Sequence, residues 1–251
     1  MMSSMFLHAV ILVAASAVTV ALGLLVSRLS SRRLQGRARS DVLSSYVAVI
    51  GTLYAVLLAF VLLSVWEQSD AAHGASDREA SAVADLARLT DGLPEAAAIR
   101  VRAAVRHYAR AVIDDEWPRM AEGGRSERVD RALDEVWAAL IGIEPPPGRA
   151  GVFNQALTLA RSIGDARQDR LSQARPSVQP VIWVLLVGGG VLVLVSTYFF
   201  EVAPIVYLPV NGGLTLMIAF ILYLIFAFDH PFSFDVGTGP DALRAVLEHL
   251  K

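Results

Sequence analysis

The sequence predicts an all-α polytopic membrane protein, with four transmembrane helices and an extramembrane helical bundle inserted between spans 2 and 3. Three observations support this fold class: long uncharged stretches towards both ends, a charged middle region with a helical apolar period, and a mean hydropathy of +0.51. Of the 251 residues, 55% are hydrophobic and only 18% are charged, whereas soluble domains have about a quarter of their residues charged. This composition excludes a disordered chain and argues against an ordinary soluble enzyme.

Four uncharged stretches are long enough to cross a bilayer as helices, which takes about 20 apolar residues. They cover residues 6–26, 46–66, 181–200 and 209–228. No basic residue precedes the first stretch and five arginines follow it, so we expect a retained span rather than a cleaved signal peptide. The predicted domains are 1–66 with spans 1 and 2 and their basic loop, 67–179 with the bundle, 180–232 with spans 3 and 4, and 233–251 with a tail helix.

The charge of the short loops predicts the orientation, because short basic loops stay in the cytoplasm. Residues 27–41 contain five arginines and one acidic residue, whereas residues 201–208 contain no basic residue. We therefore expect a multi-pass protein of the plasma (inner) membrane. Its loop 27–41 is predicted to be cytoplasmic, and the bundle extracytoplasmic.

The bundle region, residues 67–179, holds 15 of the 22 basic and 18 of the 24 acidic residues. Its apolar residues follow the 3.6-residue period of helices. We predict helices at 100–117, 126–141 and 151–175, the second with Ser126 as its N-cap. No proline interrupts residues 46–91, so the second span is expected to continue as one helix of about 45 residues.

The second span carries two neighbouring faces of interest. Small residues suited to close helix packing occupy one face, at Gly51, Ala55 and Ala59. The other face contains the pore-lining candidates Thr52, Val56, Phe60 and Ser64. Its two bulkiest apolar side chains would form a constriction that gates by dewetting. Alternatively, both faces pack against neighbouring spans within one subunit.

Ionisable residues at the ends of spans 2 and 4 are pore-mouth candidates, namely Glu67, Asp229 and His230. In a symmetric oligomer the two acids would form negative rings, which attract cations. The alternative is that both are interfacial helix ends paired to arginines such as Arg170 or Arg175.

Other residues give little indication of chemistry. The acidic run at residues 114–116 is expected to be a solvated helix face rather than a calcium site, because consecutive helical residues do not face one another. Gly188, Gly189 and Gly190 lie inside span 3, where they permit a close helix crossing or a kink. The chain has no cysteine, its five histidines lack paired ligand spacing, and it has no nucleotide-binding or catalytic motif. We expect no metal site, no cofactor and no enzymatic activity, and the net charge of −2 argues against nucleic acid.

Several segments together resemble the bacterial bestrophin-like domain family, described also as a domain of unknown function. They read GTLYAVLLAF at 51–60, WE at 66–67, YARAVIDDEW at 108–117 and DHPF at 229–232. The resemblance covers residues 45–250. It implies a four-span relative of the bestrophin anion channels, which are homo-oligomers with a pore lined by the second span. Bestrophins place their helical domain in the cytoplasm, whereas the arginine-rich loop here predicts the opposite side.

The leading hypothesis is an oligomeric ion channel for passive anion permeation, with the lipid bilayer, further copies of the chain and permeating inorganic ions as its partners. One alternative is a non-conducting membrane scaffold or sensor whose bundle binds a partner. Another is a cation-selective channel that uses acidic rings at Glu67 and Asp229.

Overall fold

A computed structural model of the chain describes residues 37–141, 143, 148–197, 204–233 and 238–250. The regular elements in these ranges are helices: α1 Arg37–Leu89, α2 Glu95–Ala111, α3 Trp117–Met120, α4 Glu127–Ile141, α5 Ala150–Gln173, α6 Pro180–Thr197, α7 Pro204–Asp229 and α8 Asp241–His249. A 3₁₀ turn, Thr90–Gly92, follows α1, and a π-helical turn, Val112–Glu116, joins α2 to α3. The first predicted span, 6–26, and most of the basic loop lie outside the described residues.

Helix α1 is continuous over 53 residues, which corresponds to about 80 Å. Neither Gly51 nor Gly74 interrupts it, and it contains no proline to remove a backbone donor. The predicted continuation of span 2 as one long helix is therefore confirmed. The helix begins nine residues before the predicted start at residue 46.

Three helices are long and apolar enough to cross a bilayer, within Ser44–Gly92, Pro180–Thr197 and Pro209–Asp229. They contain the second, third and fourth predicted spans, except for the last residues of the third. At most 28% of the most apolar window of each helix is buried inside the chain. Exposed apolar surface of this extent indicates contact with lipid or with another protein. Together with the length and composition of the three helices, it indicates that the protein is a membrane protein.

The chain divides into two compact units. The first comprises Met1–Trp66 and Ser177–Phe226, and the second comprises Glu67–Pro176 and Ala227–Lys251. Residues 227–232, which are predicted to belong with spans 3 and 4, thus cluster with the bundle residues. So does the C-terminal helix α8, whose Leu243 is buried in the core of the second unit.

In the second unit, α4 packs against both α2 and α5. Apolar side chains at helical spacing fill the space between them, for example Val101, Val105, Val136 and Ile163. Helix α4 starts where the sequence predicts, because the Ser126 hydroxyl accepts the backbone N–H of Val129 at 3.3 Å.

In the first unit, α1 and α6 cross at the glycine run. The hydroxyl of Tyr54 donates to the carbonyl oxygen of Leu186 at 2.9 Å. A Cβ atom placed on Gly189 would lie 2.6 and 2.8 Å from two carbons of the Tyr54 ring. The close helix crossing expected from the glycines is confirmed.

Candidate functional site

The membrane part of α1 has one side that faces the interior of the first unit. Tyr54, Leu58 and Val65 lie on this side and are buried. Their spacing of four and seven residues is that of a single helix face. The remaining surface of this segment is mainly exposed in the chain.

All four predicted pore-lining residues lie on the exposed surface. Val56 is 47% exposed and Phe60 69% exposed, and Thr52 and Ser64 are also exposed. The Thr52 hydroxyl donates to the carbonyl oxygen of Ala48 at 2.8 Å, which satisfies it within its own helix. The face therefore combines bulky apolar side chains with small hydroxyls.

The predicted packing residues also avoid the buried side of α1. Gly51 is half-buried, and Ala55 and Ala59 are exposed. Among the described residues, neither predicted face packs against the neighbouring helices of its own unit. Within the described part of the chain, both faces are left available to lipid or to a second copy of the chain.

The predicted pore-mouth residues differ in accessibility. Glu67 is exposed and His230 half-buried, whereas Asp229, the last residue of α7, has no exposed surface. All three belong to the second unit. Within one chain, only Glu67 of the two acids presents a carboxylate to solvent.

The second unit contains a buried ion cluster, which we define as Glu79, Glu116, Arg167 and Arg170. Arg170 joins the two acids, because its Nε lies 2.5 Å from Glu79 Oε2 and its Nη2 lies 2.8 Å from Glu116 Oε2. Arg167 Nη2 lies 2.6 Å from Glu116 Oε1. Arg170 thus binds two acids of the bundle, whereas the alternative reading of the sequence pairs it with an acid at the end of a span.

Polar and aromatic neighbours complete the surroundings of the buried ion cluster. The Tyr108 hydroxyl donates to Glu79 Oε1 at 2.7 Å, and Arg167 Nη1 donates to Asp130 Oδ1 at 2.6 Å. The Arg170 guanidinium lies 5.0 Å from the centroid of the Trp117 ring. That ring in turn makes an edge contact with Phe232 at 5.6 Å.

Glu116 is inside although it belongs to the acidic run, and a π-helical turn spans this segment. On a regular helix the acidic run 114–116 was expected to be a solvated face, and this expectation is wrong for its last residue. Asp114 is exposed, Asp115 is half-buried and Glu116 has no exposed surface. A π turn adds one residue to the helical circuit, which changes the direction of the side chains that follow.

The resemblance motifs were the one signal in the sequence that pointed to this cluster. The segment 108–117 supplies Tyr108, Glu116 and Trp117, and the segment 229–232 supplies Phe232. These positions are far apart in sequence but meet around Arg170. Four of the motif residues of the second unit thus lie around a buried cation.

The electrostatics hold Glu116 ionised and Tyr108 neutral. Burial alone would raise the pKa of Glu116, but hydrogen bonds and charge from Arg167 and Arg170 outweigh it, so the pKa is lowered. Burial and the adjacent Glu79 carboxylate raise the pKa of Tyr108 well above its ordinary value. Glu116 stays ionised and Tyr108 stays a neutral donor, an arrangement suited to holding helices together rather than to transferring protons.

Comparison with known proteins agrees with the residue pattern. None of the curated proteins and none of the solved structures compared with the chain matches it. The sequence profile of the Bestrophin-like domain matches residues 13–243, which is most of the chain. Because this match covers most of the chain, the protein belongs to the Bestrophin-like domain family.

Proposed function

We propose that the protein is a homo-oligomeric channel of the plasma membrane for passive anion permeation, with the membrane part of α1 lining the pore. The observation that carries the proposal is the exposed apolar face of α1 in a member of the Bestrophin-like domain family. Family membership supports an anion-channel type of role. Several copies of the chain can place this face around a common axis.

The large exposed side chains of α1 have the spacing of a helix that meets another helix. They recur at alternating steps of three and four residues: Tyr46, Val49, Leu53, Val56, Phe60 and Leu63. This is the period with which helices pack side by side in coiled coils. It supports assembly of copies through α1, with Val56 and Phe60 as the apolar constriction of the pore.

The accessibility of the acids favours anions over the cation-selective alternative. That alternative needs carboxylate rings at both Glu67 and Asp229, and the Asp229 side chain is buried. An anion pathway requires no such rings. We further propose that loop 27–41 is cytoplasmic, that the bundle between spans 2 and 3 is extracytoplasmic, and that the protein has no enzymatic activity.

The experiment is electrical recording from the purified protein in planar bilayers with asymmetric KCl. We expect current whose reversal potential lies towards that of chloride. Phe60→Ala should raise the conductance because it removes the bulkiest side chain of the constriction. Leu185→Ala is the matched control, since this residue of α6 is also exposed, at 55%, and should leave conductance unchanged.

The other outcomes distinguish the alternatives. A reversal potential towards that of potassium, moved by Glu67→Gln, would replace anion by cation permeation. Silence across voltage, pH and Ca²⁺ would overturn the channel and favour the scaffold or sensor.

A further inference from the structure

The second unit has a recess whose lining is rich in arginine. Its volume is about 400 Å³, and it lies where α3, the following turn and the first turns of α4 come together. The recess is lined by Asp115, Arg119, Arg125, Glu127, Arg128 and Arg131. Four guanidinium groups face two carboxylates, so the lining has a formal charge of +2.

Two of the four arginines are held in place by acids. Arg119 Nη2 lies 3.1 Å from Asp115 Oδ1, and Arg125 Nη2 lies 2.7 Å from Asp130 Oδ1. Asp130 also accepts a hydrogen bond from Arg167 of the buried ion cluster. One wall of the recess is therefore anchored to the core of the unit.

The other two arginines are not fixed by an ion pair, although the charge of Arg128 helps to lower the pKa of the Asp115 carboxyl. Within the described part of the chain, neither Arg128 nor Arg131 forms an ion pair. They are three residues apart on α4, so they lie on the same side of the helix, where like charges repel. The positive end of the α4 dipole adds to the field at this place. An anion in the recess would offset this repulsion.

We propose that this recess binds a phosphate-type oxyanion, either a free phosphate or the headgroup of an anionic phospholipid. The planar guanidinium group donates two parallel hydrogen bonds to neighbouring oxygens of one anion. Two guanidinium groups that are fixed by ion pairs and two that form none suit a ligand with several charged oxygens. The volume is in the range of small-ligand sites. The inference is independent of whether the protein conducts ions.

The experiment is calorimetric titration of inorganic pyrophosphate into the full chain in nanodiscs of phosphatidylcholine. We expect saturable binding that weakens by about tenfold or more in Arg128→Gln/Arg131→Gln, because a charge-assisted bidentate contact is lost. The control is Arg110→Gln/Arg161→Gln, which removes the same charge. Both control arginines are exposed, lie outside the recess and form no ion pair among the described residues. Binding to this variant should stay within about twofold of the parent.

A second titration in nanodiscs that also contain phosphatidylglycerol identifies the source of the oxyanion. Weaker pyrophosphate binding by the parent chain in these nanodiscs, without a further change in Arg128→Gln/Arg131→Gln, assigns the recess to the lipid headgroup. Unchanged binding assigns it to a free phosphate. The proposal is overturned if pyrophosphate does not bind saturably in the first nanodiscs, or if the control variant loses as much affinity as the recess variant.

Discussion

At the scale of single residues, Arg170 is the largest fully buried side chain among the described residues. It is fully buried between Glu79 and Glu116 and lies over the Trp117 ring. Taking charges out of water is costly, and the cost is offset only while each charge keeps its partners. Without Arg170, the buried ion cluster would keep the carboxylates of Glu79 and Glu116 but only one cation, Arg167.

Arg170→Met should destabilise the second unit by about 3–5 kcal/mol, the usual effect of removing one partner from a buried ion pair. The measurement is the thermal unfolding of the detergent-solubilised protein followed by tryptophan fluorescence. Arg175→Met is the control, because Arg175 is exposed and its side chain has no ion pair among the described residues. Equal melting temperatures of the two variants would show that the cluster does not stabilise the fold.

The lowered carboxyl pKa values predict acid sensitivity. In Glu116, burial raises the pKa, but hydrogen bonds and charge from the arginines outweigh it and hold the pKa below its ordinary value. In Asp130, the hydrogen bond from Arg125 is the largest of the causes that lower the pKa. The unfolded state therefore binds more protons in acid. The added stability is complete above about pH 5 and is lost as pH falls through the lower folded values. Melting temperatures measured from about pH 7 down to about pH 3 should fall accordingly.

Glu116→Gln provides the control for the acid prediction. This variant should be less stable than the parent at neutral pH, but its melting temperature should change less on acidification because the group no longer titrates. A parent protein that gains stability in acid would contradict the linkage.

At the scale of elements, the crossing of α1 and α6 depends more on Gly189 than on Gly188. Gly189→Ala should lower stability by about 1–3 kcal/mol, the usual effect of overpacking, because its Cβ would meet the Tyr54 ring at 2.6 Å. Gly188→Ala is the matched control, since a Cβ there has nothing within 4 Å. The measurement is the melting temperature of each variant in the same detergent, and similar losses in both would refute the crossing.

The elements that could be predicted are those whose length or boundary depends on residues nearby in the sequence. The length of α1 follows from an absence of proline, and the start of α4 follows from Ser126, whose hydroxyl caps the first turn. The burial of Glu116 has no local cause, because its partners Arg167 and Arg170 lie about 50 residues further along the chain. The ion cluster therefore could not be derived from periodicity and charge alone.

At the scale of the whole molecule, the orientation in the membrane is the prediction with the widest consequence. The chain has no cysteine, so a single introduced thiol reports one position. Asp134 is exposed on α4, and Asp134→Cys should react with an impermeant maleimide in intact cells if the bundle is extracytoplasmic. Labelling only after lysis would reverse the proposed topology and place the bundle on the side where bestrophins have theirs.

The π-helical turn at Val112–Glu116 has a consequence for evolution within the family. A relative that lacks one residue here would show a gap of one residue in an alignment. Such a gap looks like a neutral change in the length of a loop. Its actual effect would be to rotate every later side chain of that helix by about 100°. The residue aligned with Glu116 would then point in another direction. Arg167 and Arg170, which pair with Glu116, would have to change together with it.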